Sequence, residues 1–149
     1  MPLDLALSPM FQPHSNTVLI ADDFEAFRKF LRSALQEVGF QTVVEVSDGL
    51  EAVEKAAELQ PALVLLDIQM PNLDGLKAAT RIRSLAPKSR VLFISQNTDP
   101  DIVRYALRDG AAGYLCKSGI HRELLPAIQA VLSGKRFVCS ECARNGVVI

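Results

Sequence analysis

The sequence predicts an α/β fold in which five parallel strands are covered by five helices on both faces. Three observations carry that expectation. Apolar runs of strand length alternate along the chain with segments whose apolar residues recur at helical spacing. The run Ala62–Leu66 (A-L-V-L-L) is apolar at every position, which is how a strand buried on both faces of a parallel sheet reads. Short connections and the absence of repeats or low-complexity stretches then favour right-handed crossovers within one sheet.

The elements follow in order. Thr17–Ala21 (T-V-L-I-A) is the first strand, and Asp22-Asp23 follow it at once. Phe27, Leu31, Ala34, Leu35 and Val38 fall on one helical face, with Gly39 as the stop. Gln41–Val46 is the second strand, and Asp48-Gly49-Leu50-Glu51 reads as a capping box opening a helix to about Leu59. The third strand ends at Asp67, before a loop of turn residues (Pro71, Asn72, Asp74, Gly75). A helix from near Asp74 to Leu85 turns Leu76, Ala79, Ile82 and Leu85 inward. Arg90–Ser95 is the fourth strand and ends in a hydroxyl. Asp99 as N-cap and Pro100 at the first helical position open a helix to Asp109, closed by Gly110. Ala112–Cys116 is the fifth strand, followed by Lys117. The last helix shows Leu124, Leu125, Ile128, Val131 and Leu132 on one face and stops at Gly134. Pro126 lies past its first turn, which predicts a distorted or tightened opening.

At 149 residues and 49% apolar composition the chain fits one domain with one core. We place that domain at 16–135, between a flexible leader (1–15) and a C-terminal tail (136–149). A net charge of −1 gives no basic patch for direct nucleic-acid binding. No apolar run approaches the roughly 18 residues of a membrane span. The leader starts acidic and holds three prolines, unlike a secretory signal, so the expected compartment is cytoplasmic. Three cysteines form no paired framework, in keeping with a reducing compartment. Cys139-Ser-Glu-Cys142 is half of a zinc pattern, and the expectation is plain tail thiols. His14 and His121 are expected as solvated surface residues.

Five strands suit the flavodoxin-like order 2-1-3-4-5, and in open parallel sheets ligands bind outside the carboxyl ends of the strands. That order makes the first and third strands neighbours. Asp22, Asp23 and Asp67 then meet at one edge, with Ser95 and Lys117 beside them. Singly, each has an ordinary reading: Asp23 as a helix N-cap, Asp67 as a turn cap, Ser95 bonded to the backbone, Lys117 as a solvated cation. Together they are a chemical unit. Carboxylates about 4–5 Å apart repel by several kcal/mol per pair at an effective dielectric near 20, so the cluster holds protons or a cation. Mg²⁺ suits an all-oxygen set that leaves room for water and phosphate. A carboxylate beside Mg²⁺, an ammonium and a hydroxyl is equipped to accept a phosphoryl group.

The motifs V-L-I-A-D-D, L-L-D-I-Q-M-P-N-L-D-G, V-L-F-I-S and G-A-A-G-Y-L-C-K, in this order and spacing, resemble the receiver domain of bacterial two-component response regulators over about residues 17–135. The resemblance implies Asp67 as phosphoacceptor, Asp23 and Asp67 as direct Mg²⁺ ligands, Asp22 acting largely through water, and the Gln69 carbonyl as a further ligand. It implies that Ser95 and Lys117 contact the phosphoryl group, and that Ser95 and Tyr114 move together on activation; as an ordinary residue Tyr114 would be a half-buried edge-strand ring. The expected function is a phosphorylation-dependent switch, loaded by a sensor histidine kinase or phosphotransfer protein. It would catalyse only its own phosphorylation and dephosphorylation, and would alter the face made by the fourth helix, fifth strand and fifth helix. Ile102, Val103, Tyr105, Ala106, Ile128 and Val131 are candidates for core or for a homodimer face.

The stretch K-S-G-I-H-R-E-L-L-P-A-I-Q-A-V-L-S-G-K-R-F-V is similar to receivers of the NarL/FixJ class, which usually continue into a helix-turn-helix DNA-binding domain. Such a unit does not fit in the fifteen residues after Gly134, so the expectation is a stand-alone receiver or a reader domain outside this sequence. Two positions depart from the family. Ser118 follows Lys117 where many receivers have proline, and Gln96 follows the hydroxyl residue where a small residue is usual. The alternative function is a receiver-like interaction module that works without phosphorylation. An aspartate-nucleophile phosphatase would need an acid at Gln69, and a dinucleotide enzyme a glycine-rich turn after Ala21.

Overall fold

The computed structural model describes residues 17–148, so the leader reading for 1–15 lies outside the described residues. The apolar runs become β1 (Thr17–Ala21), β2 (Thr42–Val46), β3 (Leu63–Leu66), β4 (Arg90–Ser95), β5 (Gly113–Cys116) and β6 (Phe137–Val138). The helices are α1 (Glu25–Glu37), α2 (Gly49–Leu59), α3 (Gly75–Leu85), α4 (Pro100–Arg108), α5 (Ile120–Leu132) and α6 (Ser140–Arg144). All strand pairs are parallel and the order is β2-β1-β3-β4-β5-β6. The flavodoxin-like order is therefore present, extended by one strand.

That strand corrects the expected count of five. Two residues are too few to display any periodicity, but Phe137 N–H donates to the Ala112 carbonyl and Cys139 N–H to the Tyr114 carbonyl. The described part of the segment expected as a tail (136–149) thus carries an edge strand and a short helix that pack on the domain. Cys139 and Cys142 are fully buried there, against the expectation of plain tail thiols. Two other expectations fail by exposure: Leu85 and Leu125 are 51% and 39% exposed rather than facing the core.

Local signals place the helix ends. Asp48 caps α2 by accepting from Glu51 N–H, while the Glu51 carboxylate reaches back to Ser47 N–H rather than to Asp48. Asp74 and Asp99 cap α3 and α4 in the same way. The predicted stops Gly39, Gly110 and Gly134 all adopt positive φ, which lets the chain leave the helix without a Cβ clash. A 3₁₀ turn over Lys117–Gly119 tightens the entry to α5, and the described peptide bonds, Lys117–Ser118 included, are all trans.

β1, β3 and β4 form the centre of the core, with Leu19, Ile20, Leu65, Leu66, Phe93 and Ile94 at most 2% exposed. The chain adds β2 on one side of β1 and the later strands on the other, which puts α1 opposite α2 to α4 for right-handed crossovers. The α5 helix lies beside α1, where the exposed His121 meets the Phe30 ring edge-on at 4.9 Å. Of the residues left between core and dimer face, Val103, Ala106, Ile128 and Val131 are core; Tyr105 is half exposed and Ile102 partly so.

Candidate functional site

Register decides which side chains meet. β1 and β3 pair Ala21 with Leu66, so the residues that follow, Asp22 and Asp67, emerge side by side at the carboxyl end of the sheet. Backbone bonds hold both: Asp22 N–H donates to Val46 O and Asp67 N–H to Ala21 O. Asp22, Asp23 and Asp67 each bring a carboxylate oxygen within 4.8 Å of the others. Asp22 and Asp67 are buried and Asp23 is exposed, so the cluster opens to solvent on the Asp23 side. β4 and β5 pair Ser95 with Cys116, which sets Lys117 next to the acids.

The lysine closes the group. Its Nζ lies 2.7 Å from Asp22 Oδ2 and 3.3 Å from Asp67 Oδ2, and 4.5 Å above the centre of the Phe27 ring. Burial alone would lower the Lys117 pKa, but the bond to Asp22 and the charges of Asp67 and Asp22 outweigh it and raise it. Burial raises the Asp67 pKa, and the Asp22 charge adds to this; Lys117 and the Ile68 N–H oppose it without prevailing. Asp67 is therefore a carboxylate short of solvation, and more cationic charge would favour its ionised form. Three carboxylates and one ammonium leave a formal −2, which one divalent cation neutralises. An all-oxygen donor set fits a hard cation such as Mg²⁺.

The remaining predicted residues lie around this group. Gln69 is exposed and lines a surface depression with Asp23, Ile68, Met70, Pro71 and Asp74. The Ser95 hydroxyl is buried and accepts from Asn97 N–H. Tyr114 is completely buried, not half-buried, because β6 covers its strand. Its hydroxyl donates to the Asn97 carbonyl at 2.5 Å, and burial raises its pKa. Ser95 and Tyr114 thus hold the two polar backbone groups of one residue, Asn97.

Two supports were not legible as such. Phe27 was read only as a core position of α1, yet its ring also faces the Lys117 ammonium, a cation–π contact. Arg28 donates to the Asp22 carbonyl at 2.8 Å while it and Arg32 share the Glu45 carboxylate, tying α1 and β2 to the acidic loop. Neither has a local sequence signal, since each acts across elements.

Residues 18–129 match the family model described as the response regulator receiver domain. The transcription regulator BvgA of Bordetella pertussis is 37% identical over 122 residues, 82% of this chain and 58% of that protein. The chain thus spans under three fifths of the length of that relative. The signal receiver domain of the response regulator NarL from Mycobacterium tuberculosis is 36% identical with a TM-score of 0.75, covering 83% of this chain and 100% of that one. A LuxR-family two-component response regulator from Aurantimonas is 29% identical with a TM-score of 0.80, covering 86% of this chain and 92% of that one.

Proposed function

Since the chain belongs to the response regulator receiver family, the switch module of two-component signalling, we propose that it switches by accepting a phosphoryl group on Asp67. The observation that carries this reading is the Lys117 ammonium held between Asp22 and Asp67 inside a three-acid cluster. The donor is a phosphohistidine, on a sensor histidine kinase or a phosphotransfer protein. Asp23, Asp67 and the Gln69 carbonyl would hold Mg²⁺, with Asp22 acting largely through water. The ion supplies charge neutralisation for an incoming phosphoryl group.

The chain's own residues do the rest. Asp67 Oδ attacks phosphorus in line with the departing imidazole nitrogen; the new P–O bond forms as the P–N bond breaks, and the imidazole takes up a proton. Lys117 Nζ, already 3.3 Å from Asp67, moves its charge from the carboxylates to the phosphoryl oxygens. Ser95 gives up Asn97 N–H and turns its hydroxyl toward the phosphoryl group. That frees the Asn97 segment, and Tyr114 changes rotamer with it, altering the face of α4, β5 and α5. Tyr105 and Ile102 on that face supply apolar area for a homodimer or an effector. No helix among the described residues is long and apolar enough to cross a membrane, in keeping with a cytoplasmic site of action.

Incubation with a small acyl phosphate and Mg²⁺ tests the reading. The intact chain gains one phosphoryl mass, chelation of Mg²⁺ abolishes the gain, and Asp67→Asn does not acquire it. An unlabelled wild-type chain that still binds its effector would instead identify a phosphorylation-independent interaction module.

A further inference from the structure

Away from the acids, the chain's three cysteines meet at one point. Cys116 ends β5, and the pairing of Tyr114 with Val138 brings Cys139 alongside it. One turn of α6 then returns Cys142 over Cys139. Cys116 Sγ lies 2.8 Å from Cys139 Sγ and 3.5 Å from Cys142 Sγ, and all three sulfurs are within 4.8 Å of one another. All three residues are buried. A lone buried cysteine is an ordinary small apolar residue. Three sulfurs from two segments gathered this closely return little as thiols, because S–H is a weak donor and S a weak acceptor.

Donor set and charge select the ligand. No histidine or carboxylate among the described residues joins the group. A tetrahedral zinc with Zn–S of about 2.3 Å would hold its sulfurs about 3.8 Å apart, wider than both close contacts. Three thiolates leave −1 around Zn²⁺ and −2 around Cu⁺. A buried charge of that kind is costly without a partner, and the neighbouring Lys117 is already paired with Asp22 and Asp67. A trivalent ion leaves none. If it also carries a lone pair, it needs no fourth ligand and holds its three sulfurs on one side, close together.

We propose that Cys116, Cys139 and Cys142 form a three-sulfur site for a trivalent thiophilic metalloid, taken up as arsenous acid. Three S–As bonds form as three As–O bonds break, and each departing hydroxide leaves with one thiol proton as water. No oxidant or reductant is required, and both the entering molecule and the bound complex are uncharged. Gln96, Thr98, Cys116, Lys117, Ser118 and Glu141 line an opening beside the group. The bound ion would pin β6 and α6 to β5 beside Lys117.

Titration of the reduced full chain with arsenous acid, followed by non-denaturing mass spectrometry, tests the site. The expected product carries one arsenic in place of three hydrogens. Cys116→Ser and Cys142→Ser should each weaken retention at least about 10–100-fold, since losing a ligand costs no less than losing its support. Circular dichroism of each variant establishes that the loss is not unfolding, and if either unfolds, competition by a monothiol against the wild-type chain reads the same affinity. A product that keeps a hydroxyl and loses only two thiol hydrogens would overturn the three-sulfur site. So would equal retention by a folded single-serine variant. Tighter retention of Zn²⁺ or Cu⁺ than of arsenic by the wild-type chain would overturn the charge argument. None of these outcomes bears on phosphoryl transfer at Asp67.

Discussion

Gly75 approaches Asp67 so closely that a methyl group built on its Cα would stand 1.9 Å from the Asp67 carbonyl oxygen. The same glycine donates its N–H to Ile68 O at 2.7 Å, so the start of α3 is stitched to the end of β3. Gly75→Ala must push the Asp67 backbone aside. The expected cost is about 1–3 kcal/mol in urea unfolding, typical of overpacking, with slower labelling by a small phosphodonor. A variant of wild-type stability and labelling rate would show that this loop gives way freely.

Asp67 itself should cost stability when ionised. Its folded pKa is raised above the ordinary 3.8. The native state therefore binds the proton more tightly, and stability falls as pH rises from 3.8 through the folded value. Asp67→Asn does not titrate. It should exceed wild type at pH 7 in the presence of a chelator, and the difference should shrink toward zero below pH 3.8. Urea midpoints at the two pH values measure this.

Glu45 is the opposite case. Burial raises its pKa, but hydrogen bonds from Arg32 and Arg28 and their charges outweigh this and lower it below 4.5. Its contribution is present above pH 4.5 and is lost as pH falls through the folded value. Glu45→Gln should lose about 1.5–3 kcal/mol at pH 7, the range for hydrogen bonds to charged groups. The variant should also show a flatter acid limb in a stability–pH series.

Gln96 lines the opening next to Lys117 and is exposed. A long amide there crowds the path of water toward a phosphoryl group on Asp67. Gln96→Ala should shorten the lifetime of the phosphorylated chain several-fold, read from decay of the labelled species after the donor is removed. An unchanged decay rate would remove Gln96 from the account.

The strands were legible because full burial leaves unbroken apolar runs, and the helix ends because caps and stops are local chemistry. Asp22, Asp23, Asp67 and Lys117 could be brought together on paper, since strand order turns sequence positions into neighbours. What stayed hidden acts between elements. Phe27 meets Lys117 across ninety positions, and the bond from Arg28 to Asp22 O depends on how α1 packs on β1. Leu85 and Leu125 were misplaced because helical spacing defines an apolar stripe but not its edges. Cys139 and Cys142 were misread because two-residue β6 carries no pattern, and without it nothing links them to Cys116.

That short strand also guards the sheet against its own kind. A chain cut at residue 135 would bare the outer rim of β5, freeing the Ala112 and Tyr114 carbonyls and leaving Gly113 without a neighbour to block approach. An open rim of this sort is a template on which a second copy can lay its own strand, the first step toward fibrous aggregation. With Phe137 and Val138 in place, that border is a strand of two residues, too short to seed such growth.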